Sequence, residues 1–361
     1  MPGLARAFAA GPYRPRSPSR LPGSAEWPAR AQSRAGQPAL QRAGAQSSRP
    51  AELSAGAASS RAAQPNSPEP ATQQMPAGAD LRLRLDISYD GSAFHGWARQ
   101  PGLRTVQQVV EEALGLALRL AGPPALTVAG RTDAGVHASG QVAHADVPAG
   151  LWQAAADSAV RRLARLLPGD VRVRSARPAE AGFDARFAAL WRRYSYRVCT
   201  DPAGPEPLRR HDTLWYRREL DLARMNEAGL ACLGEHDFAA FCRSREGATT
   251  VRTLLRLDWQ QAEPGVAVAV VTADAFCHNM VRALVGALLP VGDGSRPPGW
   301  PAGLLAARLR DPAVRVLPAH GLCLEEVRYP AADQLAARVA ATRRLRGSIP
   351  SGCARATRGE H

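Results

Sequence analysis

The chain has 361 residues, enough for one large domain or two smaller ones. Its 46 basic residues are all arginine and outnumber 32 acidic residues, which gives a net charge of +14. This balance suits a polyanionic partner without establishing one, and the exclusive use of arginine is typical of a high-GC coding sequence. No apolar run approaches the roughly 20 residues that cross a bilayer, so we expect a soluble protein and exclude an integral membrane protein.

Residues 1 to about 79 and residues 331–361 differ in composition from the rest of the chain. The first stretch is rich in Ala, Pro, Ser, Gly and Arg and lacks any helical or strand period, which predicts a disordered extension. It resembles an organellar transit peptide, although we favour the alternative of an upstream extension without a structural role. The second stretch holds six arginines and two acids, and we predict a loose basic tail.

Regular structure is predicted to begin at LRLRLDISY (81–89), where apolar and polar residues alternate as in a strand with one buried face. The loop DGSAFHGW follows. Its Phe94, His95 and Trp97 suit either the core or a surface that faces nucleic acid, and the sequence leaves both interpretations open.

Thr105 and Gln108 form a capping-box pattern ahead of an amphipathic helix. Strands joined both by helices and directly to one another then indicate an α+β fold, with a mixed, largely antiparallel sheet flanked by helices. The further elements predicted from periodicity are strands at about 126–129, 141–147, 171–176, 191–199, 252–260, 266–273 and 322–329, and helices at about 151–167, 221–233, 278–289 and 301–309.

The cysteines and two histidines predict no metal site. The six cysteines are scattered without a Cys-x-x-Cys pair, so we expect free, mostly buried thiols in a reducing compartment. His137 and His144 lie seven residues apart with no third ligand at a suitable spacing. We therefore predict that both histidines order their surroundings and bind no metal.

The segment AGRTDAGVHASGQVAH (129–144) places charged residues in a turn bracketed by Gly130 and Gly135. A tight turn at the end of a strand would hold Asp133 rigidly over a cleft, as suits a catalytic carboxylate. Asp133 equally suits an Asx-turn, in which the side chain bonds to its own backbone. Spacing alone leaves both interpretations open.

Taken whole, this segment resembles the signature of the bacterial tRNA pseudouridine synthase A (TruA-like) family, and five further blocks match that family in order. They are YDGSAFHGWARQ (89–100), FDARFAALWRRYSYRV (183–198), DFAAF (237–241), AFCHNMVRALVG (275–286) and AHGLCLEEVRY (319–329). The resemblance implies a pseudouridine synthase-like fold of two similar halves with a cleft between them. The N-terminal half would be 80–185, with the motif, and the C-terminal half 186–330.

The resemblance implies an isomerase that converts uridine to pseudouridine in the tRNA anticodon stem-loop, at tRNA positions 38–40. Such an enzyme must flip the nucleotide out of the stacked helix before it can break the glycosidic bond. The resemblance further implies a homodimer that acts on tRNA and needs no cofactor. We also expect a cytoplasmic protein that uses no metal and does not bind a membrane. A catalytically silent tRNA-binding or chaperone protein is the alternative, and a nucleoside hydrolase is a third possibility.

By the resemblance, Asp133 is the catalytic residue and acts either as a nucleophile or as a base that removes a sugar proton. Either role needs an ionised carboxylate, which in a dry pocket requires an opposite charge nearby. The resemblance assigns that charge to Arg282. Tyr194 matches the active-site tyrosine that packs on the uracil and is also a candidate base.

Three further site residues follow from the resemblance. Arg131 matches the arginine implicated in base flipping, Leu322 matches an apolar residue of the pocket, and His278 is a candidate RNA contact. The chain also departs from the family pattern, because Ala164 stands where asparagine is frequent and Ala188 stands where serine is usual. Neither departure touches the implied chemistry, but both affect positions that bear on RNA docking or local stability.

Overall fold

The structure is a computed structural model that describes residues 79–243 and 249–347, all within one compact unit. Most of the predicted disordered extension and the end of the predicted tail lie outside the described residues. Within those ranges the strands are β1 (Asp80–Tyr89), β2 (Thr127–Val128), β3 (His137–Pro148), β4 (Val171–Pro178), β5 (Trp191–Cys199), β6 (Leu214–Trp215), β7 (Gly234–Asp237), β8 (Val251–Glu263), β9 (Val266–Ala273) and β10 (Leu322–Arg328).

These strands form a single sheet in the order β4-β1-β3-β10-β5-β9-β8-β7, with β2 beside β3 and β6 beside β5. In the described ranges, parallel pairing occurs where β10 meets β3 and where β6 meets β5, and the other pairs are antiparallel. The sheet therefore confirms the predicted α+β class with a mixed, largely antiparallel sheet.

Helices cover the sheet and bury its apolar residues. Helices α1 and α2 pack on each other, and α2 also contacts β4, β3 and β1; α3 packs on β8 and on α4. No helix in the described ranges is long and apolar enough to cross a membrane. The helices are α1 (Val106–Leu118), α2 (Ala149–Leu166), α3 (Leu222–Leu230), α4 (Met280–Gly292), α5 (Trp300–Ala307) and α6 (Leu335–Gly347).

The alternating pattern of β1 gives one buried face, with Leu83, Leu85, Ile87 and Tyr89 all buried. Strand β9, by contrast, is buried along nearly its whole length because β5 and β8 flank it and helices cover the sheet. β5 is also internal, between β10 and β9. Hydrogen bonding to a neighbouring strand on each side therefore fixes the position of the β5 backbone.

The two predicted halves share this sheet. Strands β4, β1 and β3 come from the first half, and β10, β5, β9, β8 and β7 come from the second. The short parallel pairing of β10 with β3 joins them, at Cys323 opposite His137 and Leu324 opposite Ala138. The division between residues 185 and 186 stays a prediction, because the sheet runs across it without a break.

The predicted capping box at the start of α1 is wrong in its hydrogen bonds. Thr105 is the N-cap residue, but its hydroxyl is buried and has no partner among the described residues. The first backbone N–H groups of α1 are instead satisfied from the preceding loop. The N–H of Val106 donates to the Gly96 carbonyl (3.2 Å), and the N–H of Gln107 donates to the Trp97 carbonyl (2.9 Å). Helix donors that already have partners need no side-chain cap.

The predicted loose tail is wrong for residues 335–347, which form α6. The helix is anchored because Leu335 is buried in the core and Arg338 donates to the Ala189 carbonyl (3.4 Å). Arg343 also forms an ion pair with Asp184 (3.4 Å). The segment LAARVAATRRLRG is rich in strong helix formers. Its high arginine content instead led to the prediction of a basic tail.

The expectation of free cysteines is wrong for one pair. Cys242 and Cys277 form a disulfide with their Cα atoms 5.8 Å apart, whereas Cys199, Cys232 and Cys323 are free. The two bonded residues are 35 positions apart, so no local spacing pattern could have indicated the pairing.

Candidate active site

A cleft of about 1030 Å³ opens where the two groups of strands meet. Three segments supply most of its lining: residues 95–100 of the first loop, residues 126–136 of the glycine-bracketed motif, and residues 275–282 at the start of α4. Gln107, Arg186, Arg192, Tyr194 and Leu322 complete it. Of the loop residues left open by the sequence, Phe94 and Trp97 belong to the core and His95 is exposed in the cleft.

The motif forms a tight turn at Asp133. The N–H of Val136 donates to the Asp133 carbonyl (3.2 Å), and Gly135 has φ of +78°. A positive φ at the third position of a turn favours glycine. The turn is fixed on its N-terminal side, because the Thr132 carbonyl accepts from the Trp97 N–H (3.0 Å) and its hydroxyl bonds to the Tyr89 hydroxyl (2.8 Å).

Two glycines of the first loop let that loop lie directly against the motif. A Cβ atom on Gly91 would overlap the carbonyl of Val136, and a Cβ atom on Gly96 (φ +91°) would lie 2.9 Å from the Thr132 carbonyl oxygen. His137 adds a further connection, since its Nδ1 accepts from the Gly91 N–H (3.0 Å).

The two histidines of the motif order neighbouring backbone, as predicted. The Nε2 of His137 donates to the carbonyls of His211 (2.7 Å) and His320 (3.0 Å). The Nδ1 of His144 accepts from the N–H of Ala185 (3.0 Å). Among the described residues, no group of three or more His, Cys, Asp or Glu side chains has a geometry that could hold a metal ion.

The Asp133 side chain does not close an Asx-turn in the described part of the chain; it reaches across the cleft. Its Oδ1 lies 3.5 Å from Nε2 of His278, and its Oδ2 lies 3.9 Å from Nη1 of Arg282. About a third of the carboxylate side chain (34%) remains exposed to the cleft. The carboxylate is therefore both reachable by a ligand and faced by a cationic side chain.

Arg282 is held in place by contacts other than Asp133. Its Nε donates to the Leu317 carbonyl (2.5 Å), and its Nη1 lies 3.4 Å from Oδ1 of Asn279. Asn279 precedes α4 in the left-handed conformation (φ 68°), which asparagine adopts more readily than most residues. The first turn of α4 also directs its positive dipole end toward this region, which favours a negative group nearby.

Tyr194 and Leu322 form an apolar wall of the cleft. The Tyr194 ring is 7% exposed and meets Phe276 edge to face at 5.1 Å. Leu322 is buried at the start of β10. Burial raises the pKa of Tyr194 well above its ordinary value, and the nearby Tyr89 and Asp133 act in the same direction. The phenol is therefore protonated at neutral pH.

Arg131 lies exposed beside Asp133, and its guanidinium makes no hydrogen bond or ion pair to another described residue. Arg186 is also exposed and lines the same cleft. The structure thus brings Asp133, Arg282, Tyr194, Arg131, Leu322 and His278 to one cleft.

Arg192 is a residue that sequence reasoning missed. It is only 8% exposed, and its guanidinium donates to the carbonyls of Asp274 (2.6 Å), Ala129 (2.8 Å) and Arg186 (3.0 Å). These carbonyls belong to three different segments at the cleft. The available signal was its position two residues before Tyr194, on the same buried face of β5, but an all-arginine basic composition hides a buried arginine among exposed ones.

A cleft with a rigid, partly exposed carboxylate, an opposing arginine and an apolar wall suits an enzyme that flips a base out of its stack and acts on that nucleotide. The sequence profile described as tRNA pseudouridine synthase matches residues 230–330.

The relatives resemble this chain over nearly their whole length. A tRNA pseudouridine synthase A of Streptomyces griseus is 58% identical over 274 residues, which cover 76% of this chain and 96% of that protein. That of Frankia casuarinae is 60% identical over 275 residues, or 75% and 98% of the two chains. That of Mycobacterium leprae is 50% identical over 282 residues, or 75% and 97%. The chain therefore belongs to the tRNA pseudouridine synthase A family.

Proposed function

We propose that this protein is an isomerase that converts uridine to pseudouridine in the anticodon stem-loop of tRNA. Membership of the family supports the reaction and the substrate. The observation that carries the proposal is the Asp133 carboxylate, exposed in the cleft and faced by Arg282. A nucleic-acid binder without activity has no need of a carboxylate in a cleft that must admit a polyanion, because the negative charge would repel phosphate.

In this proposal the target uridine is flipped into the cleft and its base packs on Tyr194. The reaction breaks the bond between N1 of uracil and C1′ of ribose and forms a bond between C5 and C1′. The proton on C5 is released once that bond has formed, and N1, which has lost its bond to C1′, takes up a proton from solvent, so that the product is an isomer of uridine. Ionised Asp133 acts on the nucleotide as a nucleophile or a base, and Arg282 stabilises its charge in the dry, substrate-filled cleft.

The other side chains have supporting roles. Tyr194, being protonated, supplies a packing surface and a hydrogen-bond donor, which disfavours a role as a resting base. Arg131 is free to fill the stack that the flipped base leaves, because its planar guanidinium stacks well on bases. Leu322 completes the apolar wall.

The test is tritium release from tRNA labelled at C5 of uracil, with Asp133→Asn as the matched variant. We expect release by the wild-type protein and loss of release by the variant, with tRNA binding retained. Binding without release by the wild-type protein would support the silent tRNA-binding alternative. Free uracil as the product would support a hydrolase.

We also propose that the protein works as a cytoplasmic homodimer without a cofactor. The family resemblance supports each of these points. Sedimentation at micromolar concentration tests the oligomeric state, and a monomer that retains full activity would contradict it. Activity of dialysed protein in the presence of a chelator tests the absence of a metal requirement.

A further inference from the structure

His278 contacts Asp133 more closely than Arg282 does. The distance from His278 Nε2 to Asp133 Oδ1 is 3.5 Å, whereas Arg282 Nη1 is 3.9 Å from Oδ2. Each carboxylate oxygen therefore has its own partner, and both partners lie within five residues of each other. The sequence indicated His278 only as a contact for RNA.

We propose that His278 is a positioning residue that orients the Asp133 carboxylate by donating a hydrogen bond to Oδ1. The inference rests on the proposed function, since it concerns how the same carboxylate meets its substrate.

A second partner matters because a carboxylate held at one oxygen can still turn about its Cβ–Cγ bond. Arg282 does not restrain that rotation by itself, because its Nη1 lies 3.9 Å from Oδ2, beyond hydrogen-bond distance, and its hydrogen bonds go to the Leu317 carbonyl and to Asn279. With His278 on Oδ1, the plane of the carboxylate is defined. A misplacement of about 1 Å at a reacting group costs on the order of 100-fold in rate, so an orienting contact has a measurable effect.

The backbone, and not the packing of the imidazole, determines where His278 lies. The His278 carbonyl accepts from the Arg243 N–H (3.1 Å), and the Cys277 carbonyl accepts from the Met280 N–H (3.1 Å). The disulfide between Cys242 and Cys277 joins the same two segments. The imidazole itself is 36% exposed. Substitution of His278 therefore leaves the fold intact and isolates the side chain's contact with Asp133.

A phosphate contact would have different consequences from a positioning contact. An RNA-binding side chain acts on affinity, and removing one phosphate contact weakens binding and lowers the salt slope of log Kd by about one unit. A positioning side chain acts on the rate at saturation. The two roles are therefore separated by measuring single-turnover tritium release with enzyme in excess, together with tRNA Kd at several salt concentrations.

His278→Ala removes the contact with Asp133. His278→Gln keeps a hydrogen-bond donor at this position, since the glutamine Nε2–H can reach the same oxygen. His236→Ala is the matched control, because His236 lies outside the cleft and bonds to the Leu233 carbonyl. We expect His278→Ala to lower the saturated rate by about tenfold or more, with Kd within about twofold and an unchanged salt slope. His278→Gln should recover most of the rate, and the control should match wild type.

Three results would overturn the inference. His278→Ala could keep the wild-type saturated rate but bind tRNA more weakly and with less salt dependence, or it could leave both the rate and the Kd unchanged. In the third, the saturated rate of His278→Gln would be as low as that of His278→Ala. Absence of tritium release by the wild-type protein would instead overturn the proposed function, and the inference with it.

Discussion

Replacing Arg192 by methionine should destabilise the protein strongly, because the three carbonyls that its guanidinium joins would lose their partner. The carbonyls belong to Ala129 before the motif turn, to Asp274 before the segment leading into α4, and to Arg186. Methionine has a comparable length and fills much of the same volume, so the change removes the donors with little loss of packing.

Hydrogen bonds to a charged group are worth about 1.5–3 kcal/mol each, and a buried acceptor that is left without a partner costs about 1–3 kcal/mol. Because three carbonyls lose their donor, we expect Arg192→Met to lower the free energy of unfolding by about 4 kcal/mol. At roughly 2–4 °C per kcal/mol for a domain of this size, the melting temperature should fall by about 8 °C or more. Arg192→Lys should cost less, since an ammonium group can still reach part of this set.

The neighbouring Arg193 provides the control. It is on the same strand but 33% exposed, and it pairs with Glu325 (3.2 Å) and Glu326 (2.7 Å) at the surface. Arg193→Met should cost about 1 kcal/mol or less. Urea unfolding monitored by circular dichroism measures both variants. If Arg192→Met lay within 1 kcal/mol of Arg193→Met, the reasoning about a buried connection among cleft segments would be wrong.

Two further predictions concern backbone approach and pH. Gly91→Ala should lower the free energy of unfolding by about 1–3 kcal/mol and slow tritium release, because the new Cβ overlaps the Val136 carbonyl. Gly150→Ala is the control: this glycine lies in open space on α2, so the change should stabilise the protein by about 0.5–1 kcal/mol. Equal urea midpoints for the two variants would refute this steric argument. Burial lowers the pKa of His144, whose ring accepts a hydrogen bond from the Ala185 N–H. Below about pH 6.5 the unfolded state therefore binds more protons than the folded state, and the free energy of unfolding should fall between pH 7 and pH 5. His144→Asn keeps an acceptor without titrating and should flatten this fall in urea unfolding at pH 5, 6 and 7; an unchanged slope would place the effect elsewhere.

Local periodicity was sufficient to predict most of the fold. The alternation before Tyr89 and the apolar run of β9 each predicted a strand. Where the prediction failed, distant contacts decide the structure. β3 starts at His137 and not near residue 141, because its first residues pair with β10 almost 190 positions away. Thr105 needs no capping partner, because a folded-back loop satisfies the helix donors.

The site was predictable only in part from the residues themselves. The turn chemistry around Gly135 identified Asp133 as exposed and rigid, but nothing local distinguished an Asx-turn from a catalytic carboxylate. The side chains that face the Asp133 carboxylate, His278 and Arg282, are about 150 residues away in the sequence, so Arg282 could be proposed only from the resemblance. The position of Arg192 two residues before Tyr194 was its one sequence signal, and it was not enough, because burial is what separates Arg192 from the other arginines.

The contacts around the motif lead to one conclusion about how the reaction is prepared. The carbonyls of Ala129, Gly130 and Thr132 accept from Arg192, Gln141 and Trp97 respectively, so the backbone leading to the carboxylate is held from three directions before any RNA binds. A preorganised group needs no reorganisation when charge develops in the reaction. The main conformational cost of the proposed reaction therefore falls on the RNA, which must unstack its uridine.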